Sequence, residues 1–113
     1  MWRRLAVAAA ISIAAATTSA DAQQKQKPKA VTHRVTIDAT SFAPAELTIR
    51  VGDSVVWMNR DIIPHTATQA GGKGFDSGTL KSGDAWKHTF KTAGDLAYIC
   101  TFHPTMKGTV KVR

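Results

Sequence analysis

The sequence predicts an all-β domain, a sandwich of about seven to eight short strands. Three observations carry this reading. From Val31 onward apolar residues recur with a period of two, and no stretch sustains the 3.6-residue spacing of an amphipathic helix. Glycine, proline and aspartate clusters punctuate the chain between these runs. Within each run the opposite face is polar, which fits antiparallel sheets with one side in water.

Each strand follows from its own alternation. His33, Val35 and Ile37 share one face of the first strand, and Leu47, Ile49 and Val51 one face of the second. Val55 and Trp57 alternate with Val56 and Met58 in the third. Trp86, His88 and Phe90 then share a face opposed by Lys87, Thr89 and Lys91. Leu96, Tyr98 and Cys100 share another, and Val110 with Val112 ends the chain. Turns are expected at Ala43-Pro44, Gly52-Asp53, Gly71 to Gly74, Ser82-Gly83-Asp84 and Ala93-Gly94-Asp95. The glycines at 71, 72 and 74 lack the order of a phosphate-binding loop and open no helix, so they read as a loop.

Residues 1–22 read as a secretory signal. Arg3 and Arg4 supply a positive start, and Leu5 to Ala16 is apolar except for Ser12. That run is too short for the roughly 20 residues of a membrane-spanning helix. Ala20-Asp21-Ala22 offers a small-x-small cleavage site, so no membrane span remains. Residues 23–30 (QQKQKPKA) form a flexible basic leader, and residues 31–113 the folded domain. Export places the protein in the periplasm, an oxidising compartment.

The chain of 113 residues carries 15 Lys plus Arg against 8 Asp plus Glu, a formal net charge of +7. It is long enough for one domain and too short for a multidomain enzyme or a repeat array. An exported protein rarely meets nucleic acid, so the basic charge is read as favouring acidic protein partners. The chain has one cysteine, which excludes an intrachain disulfide and a four-cysteine zinc site.

That cysteine opens a Cys-x2-His-x2-Met run: Cys100, His103 and Met106. With 4 His and 3 Met in the chain, both spacings would coincide by chance roughly once in a thousand. His65 lies upstream, after Pro64, at the edge of a strand. Thiolate and thioether are soft ligands, and imidazole suits copper. Two imidazoles and a thiolate in a plane, with a weak axial thioether, make a one-electron copper site. Three of the four ligands would come from one short loop that Pro104 stiffens. Two other readings fail on missing parts. An immunoglobulin-like last strand would need a second cysteine. A Cys-His nucleophile would lack an acidic orienting group and leave Met106 without a role. The chain therefore reads as no enzyme.

The stretches VGDSVVWMNRDIIPHTAT, FDSG and AGDLAYICTFHPTMKGTVKVR resemble those of the cupredoxins, the type 1 blue copper proteins. The short Cys-x2-His-x2-Met loop is similar to that of the amicyanin-like members, with pseudoazurin and plastocyanin as relatives. The resemblance implies an eight-strand Greek-key sandwich with one copper ion, Cu(I)/Cu(II), at one end. It implies ligands His65, Cys100, His103 and Met106, with His103 as the electron port in an apolar patch formed by Phe102, Pro104 and Pro64. It further implies a monomeric periplasmic one-electron carrier that serves transient redox protein partners, a dehydrogenase or a cytochrome. The alternative is a periplasmic copper carrier or storage protein without electron traffic, although no Met-rich or His-rich tract supports it. Two positions depart from the family pattern. Thr66 stands where an Asn that ties the ligand loops together is common, and His88 where an aliphatic residue is expected. His33 and His88 read as satisfied core or edge residues, not ligands.

Overall fold

The computed structural model describes residues 9–14 and 28–113. Most of the expected signal and leader, including the cleavage position, lies outside these residues. No helix among the described residues is long and apolar enough to cross a membrane.

The domain is all-β. Its strands are β1 (Thr32–Asp38), β2 (Ser41–Ala43), β3 (Glu46–Ile49), β4 (Ser54–Asn59), β5 (Thr68–Gln69), β6 (Ala85–Thr89), β7 (Gly94–Ile99) and β8 (Lys107–Val112). They form two four-stranded sheets, ordered β2-β1-β4-β6 and β3-β8-β7-β5. Only β1–β2 and β7–β8 are adjacent both in sequence and within a sheet, so the chain repeatedly crosses between layers.

The sheets are mixed, not purely antiparallel. β1 runs parallel to β4, with Val35 opposite Trp57, and β3 runs parallel to β8, with Ile49 opposite Val112. Side-chain alternation has the same period in both directions, so it does not encode strand direction. The second expected strand is also shorter than its apolar face suggested. β3 ends at Ile49, and Val51 is 47% exposed. The cause is the turn that follows: Gly52 adopts φ +95°, and the Asp53 carboxylate accepts the Arg50 N–H at 3.1 Å. Phe90 and Cys100 fall just beyond their strands, yet both remain buried on the expected face.

The core is aromatic at its centre. Trp57, fully buried, packs edge-on to Tyr98 at 5.4 Å and stacks on Phe75 at 5.4 Å. Each such pair contributes about 0.5–1.5 kcal/mol beyond simple area burial. Tyr98 lies flat across β8 because its partner there is Gly108, where a Cβ would collide with the phenol ring. Tyr98 and Cys100 stand two residues apart at the end of β7, so the packing that fixes one fixes the other.

His33 and His88 have structural settings. His33 Nε2 donates to Asp53 Oδ2 at 3.0 Å. His88 is half-buried and stacks on Trp86 with ring centroids 5.4 Å apart.

Candidate metal centre

The site forms where two connections meet at one end of the sandwich. The first leaves β4 at Asn59, which is fully buried. Its Nδ2 donates to the Ile63 carbonyl at 2.9 Å and the Leu80 carbonyl at 2.8 Å, and its Oδ1 accepts the Asp61 N–H at 2.9 Å. One amide side chain thereby folds the loop that delivers His65. The His65 backbone then pairs with Leu80 in both directions, at 3.0 and 2.8 Å. The ring itself is fully buried and held at Nε2 by Asp61.

The second connection joins β7 to β8. The His103 N–H donates to the Cys100 carbonyl at 3.2 Å, the Met106 N–H to the His103 carbonyl at 2.8 Å, and the Cys100 N–H to the Met106 carbonyl at 3.1 Å. The three sequence-predicted residues of this loop are thus linked to one another through their backbones. Pro104, which has no N–H to satisfy, occupies the outer turn.

His65, Cys100 and His103 come together, with donor atoms all within 4.8 Å of one another. Cys100 Sγ lies 3.7 Å from His65 Nδ1 and 3.8 Å from His103 Nδ1. Met106 is buried on the same loop. Cys100 and His65 are fully buried, whereas His103 is only partly so. The set of two imidazoles and a thiolate, with a thioether residue on the same loop, has the softness and the two-nitrogen, one-sulfur composition that copper prefers. On donor chemistry the site fits copper.

The electrostatics favour a thiolate. Burial alone pushes the Cys100 thiol up, but the Thr66 N–H at 3.4 Å, both histidines and the Phe102 N–H more than offset it. The thiol is held down at about 6. Burial likewise pushes His65 down, and the hydrogen bond to Asp61 together with the Cys100 sulfur reverses this, so its net shift is upward. Asp61, paired with His65, is held below the usual carboxylate range.

Three contributors were not legible as site residues in the sequence. Asp61 Oδ2 accepts from His65 Nε2 at 2.8 Å. Asn59 organises the loop, and Thr101 donates its N–H to Thr66 Oγ1 at 2.9 Å. The only sequence signal was position: Asp61 four residues before one expected ligand, and Thr101 immediately after another. The Thr66 hydroxyl therefore links the two ligand loops.

Comparison with known proteins agrees with this geometry. The family model "Copper binding proteins, plastocyanin/azurin family" matches residues 29–113. Amicyanin-alpha of Methylorubrum extorquens is 33% identical over 117 residues, covering 97% of this chain and 98% of the relative. Among solved structures, a purple cupredoxin from Nitrosopumilus maritimus superposes with a TM-score of 0.67 at 33% identity, covering 72% of this chain and 99% of that one. An oxidised amicyanin mutant gives a TM-score of 0.67 at 33% identity, covering 72% and 81%.

Proposed function

The chain belongs to the plastocyanin/azurin family of copper-binding proteins, and from that premise we propose that it carries single electrons between periplasmic redox proteins, with one copper held by His65, Cys100, His103 and Met106. The observation that carries the reading is the convergence of two histidine nitrogens and the Cys100 sulfur within 4.8 Å at one end of the sandwich. A copper ion held there supplies a one-electron couple. The protein supplies rigidity. His65 is tied to Asp61 and its backbone to Leu80, and the Cys100–Met106 loop is closed on itself, so little of the backbone around the site would need to rearrange when an electron moves.

The outer surface suits brief encounters. His103 is the partly exposed member of the set, and Phe102 beside it is 51% exposed. Pro64 and Pro104 are exposed around it. A small apolar patch of this kind buries too little area for a lasting complex. Arg60 and Lys107, both exposed at this end, form no ion pair among the described residues. They favour an acidic partner, a dehydrogenase or a cytochrome, and an association rate that falls with salt. In this reading the protein is a monomeric carrier and no enzyme. Residues 1–22 direct export, 23–30 form a basic leader, and 31–113 form the copper domain.

The test is an absorption spectrum after one equivalent of Cu(II), with and without Cys100→Ser. An intense visible thiolate-to-copper band, bleached by reductant and lost in Cys100→Ser, is expected. A colourless product would overturn electron transfer in favour of copper carriage or storage.

A further inference from the structure

The Thr66 hydroxyl is the hub of a chain that leaves the candidate metal centre and ends on a surface carboxylate. Thr66 Oγ1 accepts the Thr101 N–H at 2.9 Å and lies 3.1 Å from Thr101 Oγ1 and 2.9 Å from Thr68 Oγ1. Thr68 Oγ1 is 3.1 Å from Asp76 Oδ1, which also accepts the Gly78 N–H at 2.9 Å. Thr66 is buried, Thr68 half-buried and Asp76 exposed, so the chain runs from core to solvent.

The direction of every proton follows from its outer end. The Asp76 oxygen accepts from both the Gly78 N–H and Thr68, so Thr68 is the donor in this pair. A hydroxyl carries one proton, so Thr68 Oγ1 receives the proton of Thr66. Thr66 has then spent its only donor, and both lone pairs of its oxygen face Thr101, one for the N–H and one for the hydroxyl. Without Asp76, each hydroxyl could rotate and the Thr66 proton could turn to Thr101 Oγ1, reversing that hydroxyl pair and leaving one lone pair of Thr66, not two, facing Thr101. The Thr66 side chain is attached to the same residue whose N–H points at Cys100 Sγ at 3.4 Å. Thr101 is joined directly to Cys100. An ordered chain therefore bears on both sides of the sulfur.

We propose that Asp76 is a positioning residue of the metal centre, acting through Thr68 and Thr66 to hold the Thr66 hydroxyl as acceptor for Thr101 and so to fix the surroundings of the Cys100 sulfur. This rests on the copper reading above. It adds a remote surface residue that none of the four expected ligands touches directly.

The test uses Thr68→Val, which keeps the shape and deletes the hydroxyl, together with Asp76→Ala and Asp76→Asn. Two quantities are read: amide hydrogen exchange of Thr101 in the metal-free protein, and the reduction potential of the copper-loaded protein. Thr68→Val and Asp76→Ala should each speed Thr101 exchange by about three- to tenfold. Each should move the potential in the same direction, and the double variant should match either single one, as coupled neighbours do. Asp76→Asn, which retains an acceptor oxygen, should stay near the native protein. Unchanged exchange, or independent addition of the two effects, would overturn the proposal. Faster exchange with an unmoved potential would reduce the chain to a structural tie and overturn the positioning role. An Asp76→Asn variant as perturbed as Asp76→Ala would assign the effect to the charge alone and overturn it too. The exchange readout needs no copper, so failure to bind copper would sink the functional reading while still reporting on the chain.

Discussion

His65 presents Nε2 to Asp61 Oδ2 at 2.8 Å, and the opposite side of its ring, Nδ1, then faces the Cys100 sulfur at 3.7 Å. The carboxylate only accepts, so Nε2 carries the proton and, in the neutral ring, Nδ1 keeps its lone pair for a metal. Asp61 also accepts the Thr40 N–H at 3.2 Å and the Ile62 N–H at 2.8 Å, so its own position is fixed independently of the histidine.

Asp61 should therefore control how well His65 binds metal. Asp61→Ala is expected to weaken copper affinity by about 10- to 100-fold, the usual cost of losing the group that orients a ligating histidine. Asp61→Asn should lose less, because its carbonyl oxygen can still accept from Nε2. Competition with a chelator of known affinity measures both. Equal affinities for Asp61→Ala and the native protein would show that packing and the Leu80 backbone pairing alone orient the ring.

Much of the fold was legible because burial imposes period two on long strands. β1, β4, β7 and β8 each show it over six or more residues. β2 and β5 have three and two residues, too few to establish any period. Strand direction was illegible for a different reason, since parallel and antiparallel neighbours demand the same alternation. The metal loop was readable because Cys100, His103 and Met106 fall within one turn of chain. Asp61, Asn59 and Asp76 were not, because each acts through contacts that only the completed fold brings into range.

Gly108 should tolerate no side chain. It sits opposite Tyr98 in the β7–β8 ladder, and a Cβ there would overlap the phenol ring. Tyr98 cannot yield, being 1% exposed and held edge-on by Trp57 and Phe42. Gly108→Ala is expected to cost about 3 kcal/mol, the upper range for overpacking a filled core. Thermal unfolding should record this as a fall in Tm of more than about 10 °C. A change of only a degree or two would mean that β8 shifts freely against β7.

Asp53 should govern acid stability. The His33 hydrogen bond, then the N–H groups of Val31 at 2.9 Å and Arg50 at 3.1 Å, hold its carboxyl down to about 2. A folded-state pKa below the unfolded value of 3.8 means that the stabilisation is complete above about pH 4 and is lost as pH falls toward 2. Asp53→Asn should be less stable than the native protein at pH 6, and the gap should close between about pH 4 and pH 2. Chemical unfolding of the metal-free protein across that range measures it. A gap that stays constant with pH would remove Asp53 as the source.

His88 should act in the opposite sense. Its ring stacks on Trp86 and meets Phe90 edge-on at 4.8 Å, and burial pushes its pKa below 6.5. The folded state therefore holds the neutral ring, while the unfolded chain takes up a proton at a higher pH. Stability from this site is present above the unfolded value and declines as pH falls through 6.5, because protonation then favours the unfolded chain. Lys87 and Thr89 point to the other face of β6 and offer the ring no counter-charge. Phe75, on the facing side at 5.4 Å, offers none either. His88→Leu, which restores the aliphatic residue the strand pattern expects, should therefore gain on the native protein as pH is lowered from about 8 to about 5. The comparison is made by thermal unfolding at each pH. A stability difference independent of pH would mean that the imidazole escapes the aromatic stack when it is charged, and that the half-open edge of β6 lets it reach water.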